Sequence, residues 1–241
     1  MFAEQEAALL RAAAAGPAER EALVGRRIAG APLEHVLGWA EFAGSRIRVQ
    51  PGVFVPRRRT VWLVELAERH LAGRPGRPVV VDLCCGSGAV GAALAGRRPV
   101  ELYAVDLDPA AVRCARHNLP DPAWVYCGDL YRPLPVSLRG RVEVLLANAP
   151  YVPSAAIALM PAEAREHEPR LALDGGPDGL EVHRRVAAEA AGWLAPGGLL
   201  LIEVAPAQAR AACTLLREAG LSPRVRADAG RDAVAVAAAR A

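Results

Sequence analysis

After Gly73-Arg74-Pro75-Gly76 the chain settles into short apolar runs that alternate with helix-spaced stretches, a rhythm that few folds accommodate. Apolar runs bounded by turn residues predict strands over 79–83, 102–105, 124–127, 142–147 and 199–204. Helical spacing covers 89–95, 109–118, 180–194 and 207–219, and a last pair of strands is expected near 224–225 and 233–237. Strands alternating with helices need crossover connections, and these build a mainly parallel sheet covered on both faces. The expectation is therefore an α/β, Rossmann-like fold with a mostly parallel seven-stranded sheet. In such a sheet ligands bind beyond the C-terminal ends of the strands, so the residues that follow each apolar run are where a site should be. The stretch 153–179 interrupts the rhythm and carries no clear element of its own.

The chain before this rhythm has a different character. Two short amphipathic helices are predicted over 2–15 and 18–28, broken at Gly16-Pro17. Alternation through Phe42, Ile47, Val49, Val53 and Val55, with turns at Gly44-Ser45 and Pro51-Gly52, predicts a β-hairpin over 39–55. A helix follows over 60–71, with Thr60 as its N-cap. This divides the chain into a short helical and hairpin region, 1–57, and a main domain, 58–241.

Its 241 residues, 53% apolar, suffice for one large α/β domain with a small appendage. No run approaches the 18 or so apolar residues of a membrane span, and the first residues carry acids where a signal peptide needs a positive start. A cytoplasmic location is the expectation. Cys84, Cys85, Cys114, Cys127 and Cys213 form no C-x-x-C pair and no metal-ligand spacing with the 5 histidines, which argues against a metal site and a disulfide framework. The net charge of +3 is carried by arginine alone, is spread along the chain and is too weak to argue nucleic-acid binding. Arg57, Arg58 and Arg59 read as a solvated face, and His117 and His167 as solvated histidines.

Three strand ends carry chemistry. The turn Asp82-Leu83-Cys84-Cys85-Gly86-Ser87-Gly88 joins a strand to a helix; its small residues let backbone approach a ligand, and the helix N-terminus offers donors. Asp106, twenty residues after Gly86, ends the next strand and can accept from both hydroxyls of a ribose. The third strand ends in Gly128-Asp129-Leu130, a carboxylate for an exocyclic amine such as that of adenine and an apolar contact for its ring. NAD and S-adenosylmethionine both present adenosine, and Gly91 completes the dinucleotide spacing, so these residues do not separate the two.

The fourth strand end separates them. Asn148-Ala149-Pro150-Tyr151 stops an apolar run abruptly, and an Asn followed by backbone that proline holds away from helix offers two carbonyl oxygens with an aromatic ring beside them. Such a turn grips a planar –NH2 group by both hydrogens. Hydride transfer has no evident use for it, whereas methyl transfer to nitrogen does.

With these residues the chain resembles the class I S-adenosylmethionine-dependent methyltransferases and, within them, the HemK/PrmC-type protein-(glutamine-N5) methyltransferases. The resemblance runs from about Ala31 to the C-terminus. It includes Pro32-Leu33, Gly38, Glu41-Phe42, Pro56-Arg57, the 82–88 turn, Asp106 and Gly128-Asp129-Leu130. Its most specific part is Glu168-Pro169-Arg170-Leu171-Ala172-Leu173-Asp174-Gly175-Gly176-Pro177-Asp178-Gly179. The resemblance implies S-adenosylmethionine held by Gly86, Ser87, Gly88, Asp106, Asp129, Leu130 and Asn148. It implies catalysis at Asn148, Ala149, Pro150 and Tyr151 without a metal, the first two supplying acceptors and Tyr151 walling the flat amide. It implies a protein substrate, a peptide chain release factor or a ribosomal protein, with no stable nucleic acid and no membrane. An amino-methyltransferase of RNA or DNA bases and a non-catalytic S-adenosylmethionine-binding protein are the alternative readings. Four departures stand out: Ala149 replaces the second residue of the family's Asn-Pro-Pro-Tyr, Cys84 replaces a glycine, Arg58-Arg59-Thr60-Val61 replaces acidic residues, and the helical N-terminal part is shortened to about thirty residues.

Overall fold

The computed structural model describes residues 3–241, so the expected start of the first helix at Phe2 lies outside the described residues. Helices α1 (Ala3–Ala13), α2 (Pro17–Ile28) and α3 (Leu33–Leu37) close a small cluster of Leu10, Leu33 and Val36. The hairpin strands β1 (Trp39–Phe42) and β2 (Ser45–Arg48) pair antiparallel, with Trp39 opposite Arg48. The expected hairpin was longer. Val53 and Val55 are buried at 1% and 2% exposure but lie in no strand. Val53 packs on Ala111 and Cys114, and Val55 on Ala40 and Val49. Alternation reports which side chains are buried, not whether the backbone has a ladder partner, and Pro51 and Pro56 have no N–H to give one.

Helix α4 (Val61–Leu71) begins after a 3₁₀ turn over Arg58–Thr60. Thr60 is not the side-chain N-cap expected from the sequence: its own backbone is helical (φ −66°, ψ −16°) and it makes no cap hydrogen bond. A cap needs extended backbone to turn its oxygen onto the first amides.

The sheet follows as β3 (Val79–Leu83), α5 (Ala89–Arg97), β4 (Glu101–Asp106), α6 (Pro109–Asn118), β5 (Ala123–Cys127), β6 (Val142–Ala147), α7 (Ala162–His167), α8 (Glu181–Trp193), β7 (Leu194–Glu203), α9 (Ala209–Glu218), β8 (Ser222–Asp228) and β9 (Ala233–Ala239). Strand order is β5-β4-β3-β6-β7-β9-β8. Only β9 runs against its neighbours β7 and β8; the pairs among the first five strands are parallel. β3 is buried at every position, as a strand covered on both faces must be. Val79, Val81 and Leu83 pack toward α8 and α9 through Val186, Ala190, Trp193 and Leu216. Val80 faces the opposite core, where Leu63, Ala67 and Leu94 of α4 and α5 meet Phe42 and Ile47 of the hairpin. The hairpin is thereby fixed beside the C-terminal ends of the strands. α6 starts on Asp108, whose side chain accepts from the Ala110 N–H at 2.7 Å, with Pro109 pre-set for the first turn.

The chain leaves β3 outward through β4 and β5 and returns to the other side at β6. That reversal opens a crevice where the C-terminal ends of β3 and β6 part. Among the described residues no helix is long and apolar enough to cross a membrane.

Candidate active site

One cleft occupies this crevice. It is lined by the β3 turn (Asp82, Cys84, Cys85, Gly86, Ser87), by Asp106 after β4, by Gly128, Asp129 and Leu130 after β5, and by Asn148 and Pro150 after β6. Val53, Phe54, Pro56 and Thr60 close it from the hairpin side, and Pro169, Leu171, Ala172 and Asp174 from the segment before α8. Of the residues expected at the site, Gly88, Ala149 and Tyr151 do not line the cleft. Gly88 is pressed against Ala115, where an added Cβ would sit 3.1 Å from the alanine side chain, and Ala149 is 1% exposed. Neither His117 nor His167 reaches it.

The turn after β3 is built for close approach. Gly86 and Gly88 have φ of +56° and +77°, and a Cβ placed on Gly86 would meet nothing within 4 Å, so open space lies beside that backbone. Cys84 holds a φ of +54°, a left-handed conformation that costs a residue with a Cβ roughly 1–2 kcal/mol. Burial pushes the Cys84 thiol up, which keeps it protonated and inert. Asp106 holds this turn: its Oδ2 accepts from the Gly86 N–H at 2.8 Å and its Oδ1 from the Asp108 N–H at 2.9 Å. Burial raises the Asp106 carboxyl, and it pushes Asp82 up to about 7, with Asp106 adding to the effect. Asp129 is engaged by Arg185, whose Nη2 lies 2.6 Å and 2.7 Å from its two oxygens.

The turn after β6 is held from several directions. Asn148 directs Nδ2 to Thr60 Oγ1 at 3.5 Å, and its Oδ1 has no hydrogen-bond partner among the described residues. The Tyr151 carbonyl accepts from Gln208 Nε2 at 2.9 Å, and the same group donates to the Asp178 carbonyl at 3.0 Å. Val152 pairs like a strand with Asp174, through Val152 N–H to Leu173 O at 3.0 Å and Gly175 N–H to Val152 O at 2.9 Å. The segment from Glu168 to Gly179, singled out in the sequence without a physical role, is the scaffold of this turn.

The arginines at 57–59 do not form the solvated face expected of them. Arg58 is exposed, but Arg57 Nη2 pairs with Glu168 Oε2 at 2.6 Å and Arg59 Nε with Glu203 Oε1 at 3.1 Å. Glu168 also accepts the Val55 N–H at 3.0 Å, so a carboxylate 1% exposed ties the hairpin side of the cleft to the segment before α8. Glu168→Ala is expected to lower stability by about 2 kcal/mol, because a buried N–H and a guanidinium both lose their acceptor; urea unfolding measures it, and an unchanged midpoint would contradict the tie.

The Methyltransferase small domain family matches residues 45–164. The release factor glutamine methyltransferase of Moorella thermoacetica is 40% identical over 204 residues, which cover 82% of this chain and 70% of that protein. The chain belongs to the release factor glutamine methyltransferase family. The Deinococcus radiodurans member is 39% identical over 208 residues, covering 84% of this chain and 72% of its own. A Thermus thermophilus 16S rRNA N2 G1207 methyltransferase, solved with AdoMet and guanosine, shares the fold at a TM-score of 0.51 and 17% identity over 84% of this chain and 44% of its own. This family member is a methyltransferase, and its cofactor is S-adenosylmethionine. The cleft fits that cofactor: open space beside the Gly86 backbone and a half-buried carboxylate at the end of β4 suit a nucleoside, and the Asp82 carboxyl suits the cationic end.

Asp106→Ala is expected to weaken binding of the cofactor product about tenfold or more, since it removes a carboxylate that lines the cleft in a position suited to a ribose and with it the anchor of Gly86. Calorimetric titration measures it; unchanged affinity would place the ribose elsewhere.

Proposed function

We propose that this family member transfers a methyl group from S-adenosylmethionine to the side-chain amide nitrogen of a glutamine in a protein, with a peptide chain release factor as substrate. The observation that carries the reading is Asn148, which lines the cofactor cleft with its Oδ1 unpaired among the described residues while Nδ2 is turned to Thr60. That oxygen is an acceptor held ready at the rim. The bound cofactor supplies an electrophilic methyl on a positively charged sulfur.

An amide nitrogen is a weak nucleophile because its lone pair is delocalised into the carbonyl. Asn148 Oδ1 accepts one N–H of the substrate amide, which turns the lone pair toward the methyl; the Ala149 carbonyl, expected to take the other, is buried away from the cleft. Alignment of this kind supplies about 7–11 kcal/mol in well-oriented reactions. The N–CH3 bond forms as the S–CH3 bond breaks and a neutral thioether departs; the Asn148 dipole favours the positive charge that grows on nitrogen, which is discharged when the nitrogen releases one proton to solvent. Gly86, Ser87, Asp106, Asp129 and Leu130 hold the cofactor in this reading, Asp129 while still paired with Arg185, and Gly88 shapes the turn from behind against Ala115. Region 1–57 lies on the substrate side, and the reaction takes place in the cytoplasm.

Mass spectrometry of purified release factor, after incubation with the protein and isotope-labelled cofactor, tests the substrate. A methyl on a release-factor glutamine is expected; a methyl only on ribosomal proteins offered in parallel would transfer the role to them.

A further inference from the structure

Three segments distant in sequence converge behind the Asn148 turn on a single oxygen. Glu203, at the end of β7, accepts on Oε1 from Arg59 Nε at 3.1 Å and from the Tyr151 hydroxyl at 3.1 Å. Arg59 Nη2 donates to that hydroxyl at 2.6 Å, and its guanidinium carbon lies 5.9 Å from the Tyr151 ring centre. The Glu203 side chain is 4% exposed, its Oε2 has no partner, and Arg59 is the cation paired with it among the described residues. One guanidinium thus makes two bonds at once, to the buried charge and to the phenol, as its planar fork allows.

The turn itself explains what such a clamp does. Pro150 fixes its own φ and keeps Ala149 out of the helical region, but Ala149 lacks the locked φ that a proline would have there, so the direction of Asn148 still depends on how the far end is anchored. That end is Tyr151, held at its carbonyl by Gln208 and at its hydroxyl by Arg59 and Glu203. We infer that Arg59 is a positioning residue which, through Tyr151 and Glu203, holds the Asn148–Tyr151 turn in the arrangement that presents Asn148 to the substrate amide. The inference rests on the function proposed above. Arg59 touches neither the cofactor cleft nor the reacting atoms. Its contribution is rigidity, and a displacement of an ångström or so at an aligned site costs about a hundredfold in rate.

The test compares Arg59→Gln, Arg59→Lys, Tyr151→Phe and the Arg59→Gln/Tyr151→Phe double variant, each saturated with the cofactor product for amide hydrogen exchange and loaded with cofactor for single-turnover methyl transfer. Arg59→Gln and Tyr151→Phe are each expected to speed exchange across 148–152 about tenfold and slow transfer about tenfold, leaving affinity for the cofactor product within about twofold. The double variant should lose less than the two single losses combined, because both single variants remove the Arg59–Tyr151 hydrogen bond. Arg59→Lys keeps the charge beside Glu203 and should recover melting temperature while transfer stays slow. Tyr151→Phe strands no charge and carries the test if Arg59→Gln fails to fold. Unchanged exchange across 148–152 in the single variants, or additive losses in the double, would overturn the inference. If the wild type methylates no glutamine while the variants still exchange faster at the turn, positioning stands and the substrate reading falls.

Discussion

Asn148→Ala is expected to lower single-turnover methyl transfer by roughly a hundredfold or more, with binding of the cofactor product changed far less. Among the described residues the variant removes the one side-chain oxygen that lines the cleft after β6 without a partner, and with it both the orientation of the substrate amide and part of the stabilisation of charge on nitrogen. Asn148→Asp sharpens the comparison. It keeps an acceptor, loses the donor to Thr60 and adds a negative charge beside a cationic cofactor, so tighter cofactor binding with poor transfer is its signature. Rapid-quench transfer rates and calorimetric affinities for the two variants separate orientation from cofactor binding. Wild-type transfer by Asn148→Ala would remove the acceptor from the mechanism.

Gly179→Ala should damage the same turn from outside the cleft. Gly179 has a φ of +75°, and a Cβ there would lie 2.2 Å from the Tyr151 carbonyl oxygen and 2.3 Å from Gln208 Nε2. Neither neighbour can yield without breaking the hydrogen bond they share. Left-handed backbone strain of about 1–2 kcal/mol and overpacking of about 1–3 kcal/mol together predict a stability loss of about 2–5 kcal/mol. Denaturant unfolding gives the loss directly, and transfer by whatever fraction folds should be slow because Tyr151 must move. A variant with wild-type stability would show that the 168–179 segment does not brace the turn.

The parts of this molecule that were legible in the sequence are those whose cause is local. β3, α6 and β6 lie at the residues predicted, since an apolar run closed by Asp, by Gly-rich turn or by Asn-x-Pro, and a Pro-led helix capped by Asp108, contain their own boundaries. α3 was not legible: five residues between Pro32 and a left-handed Gly38 are too few to show a period. The strand-end acids were legible for the same local reason, as each follows an apolar run. The ion pairs were not. Arg57 meets Glu168 across 111 residues of chain and Arg59 meets Glu203 across 144, and no local pattern distinguishes a paired arginine from a solvated one. A hint was present in Glu203 itself, an acid closing the apolar run of β7 at the same rim as Asp82, Asp106 and Asn148. Tyr151 shows how such a distant contact alters the reading of a residue. Its position beside the turn suggested a wall for the substrate, yet its hydroxyl faces Arg59 and Glu203, and burial pushes the phenol up to about 12.

In the function proposed above, the cleft and the Asn148 turn together methylate an amide nitrogen of a protein. Incubating the protein with methyl-labelled cofactor and a cell extract, then dividing the product between nuclease and protease, tests it most directly. The expected label survives nuclease, is released by protease, maps by mass spectrometry to a glutamine side chain and is absent when Asn148→Ala replaces the wild type. Label released by nuclease, or an undiminished glutamine signal with Asn148→Ala, would contradict it.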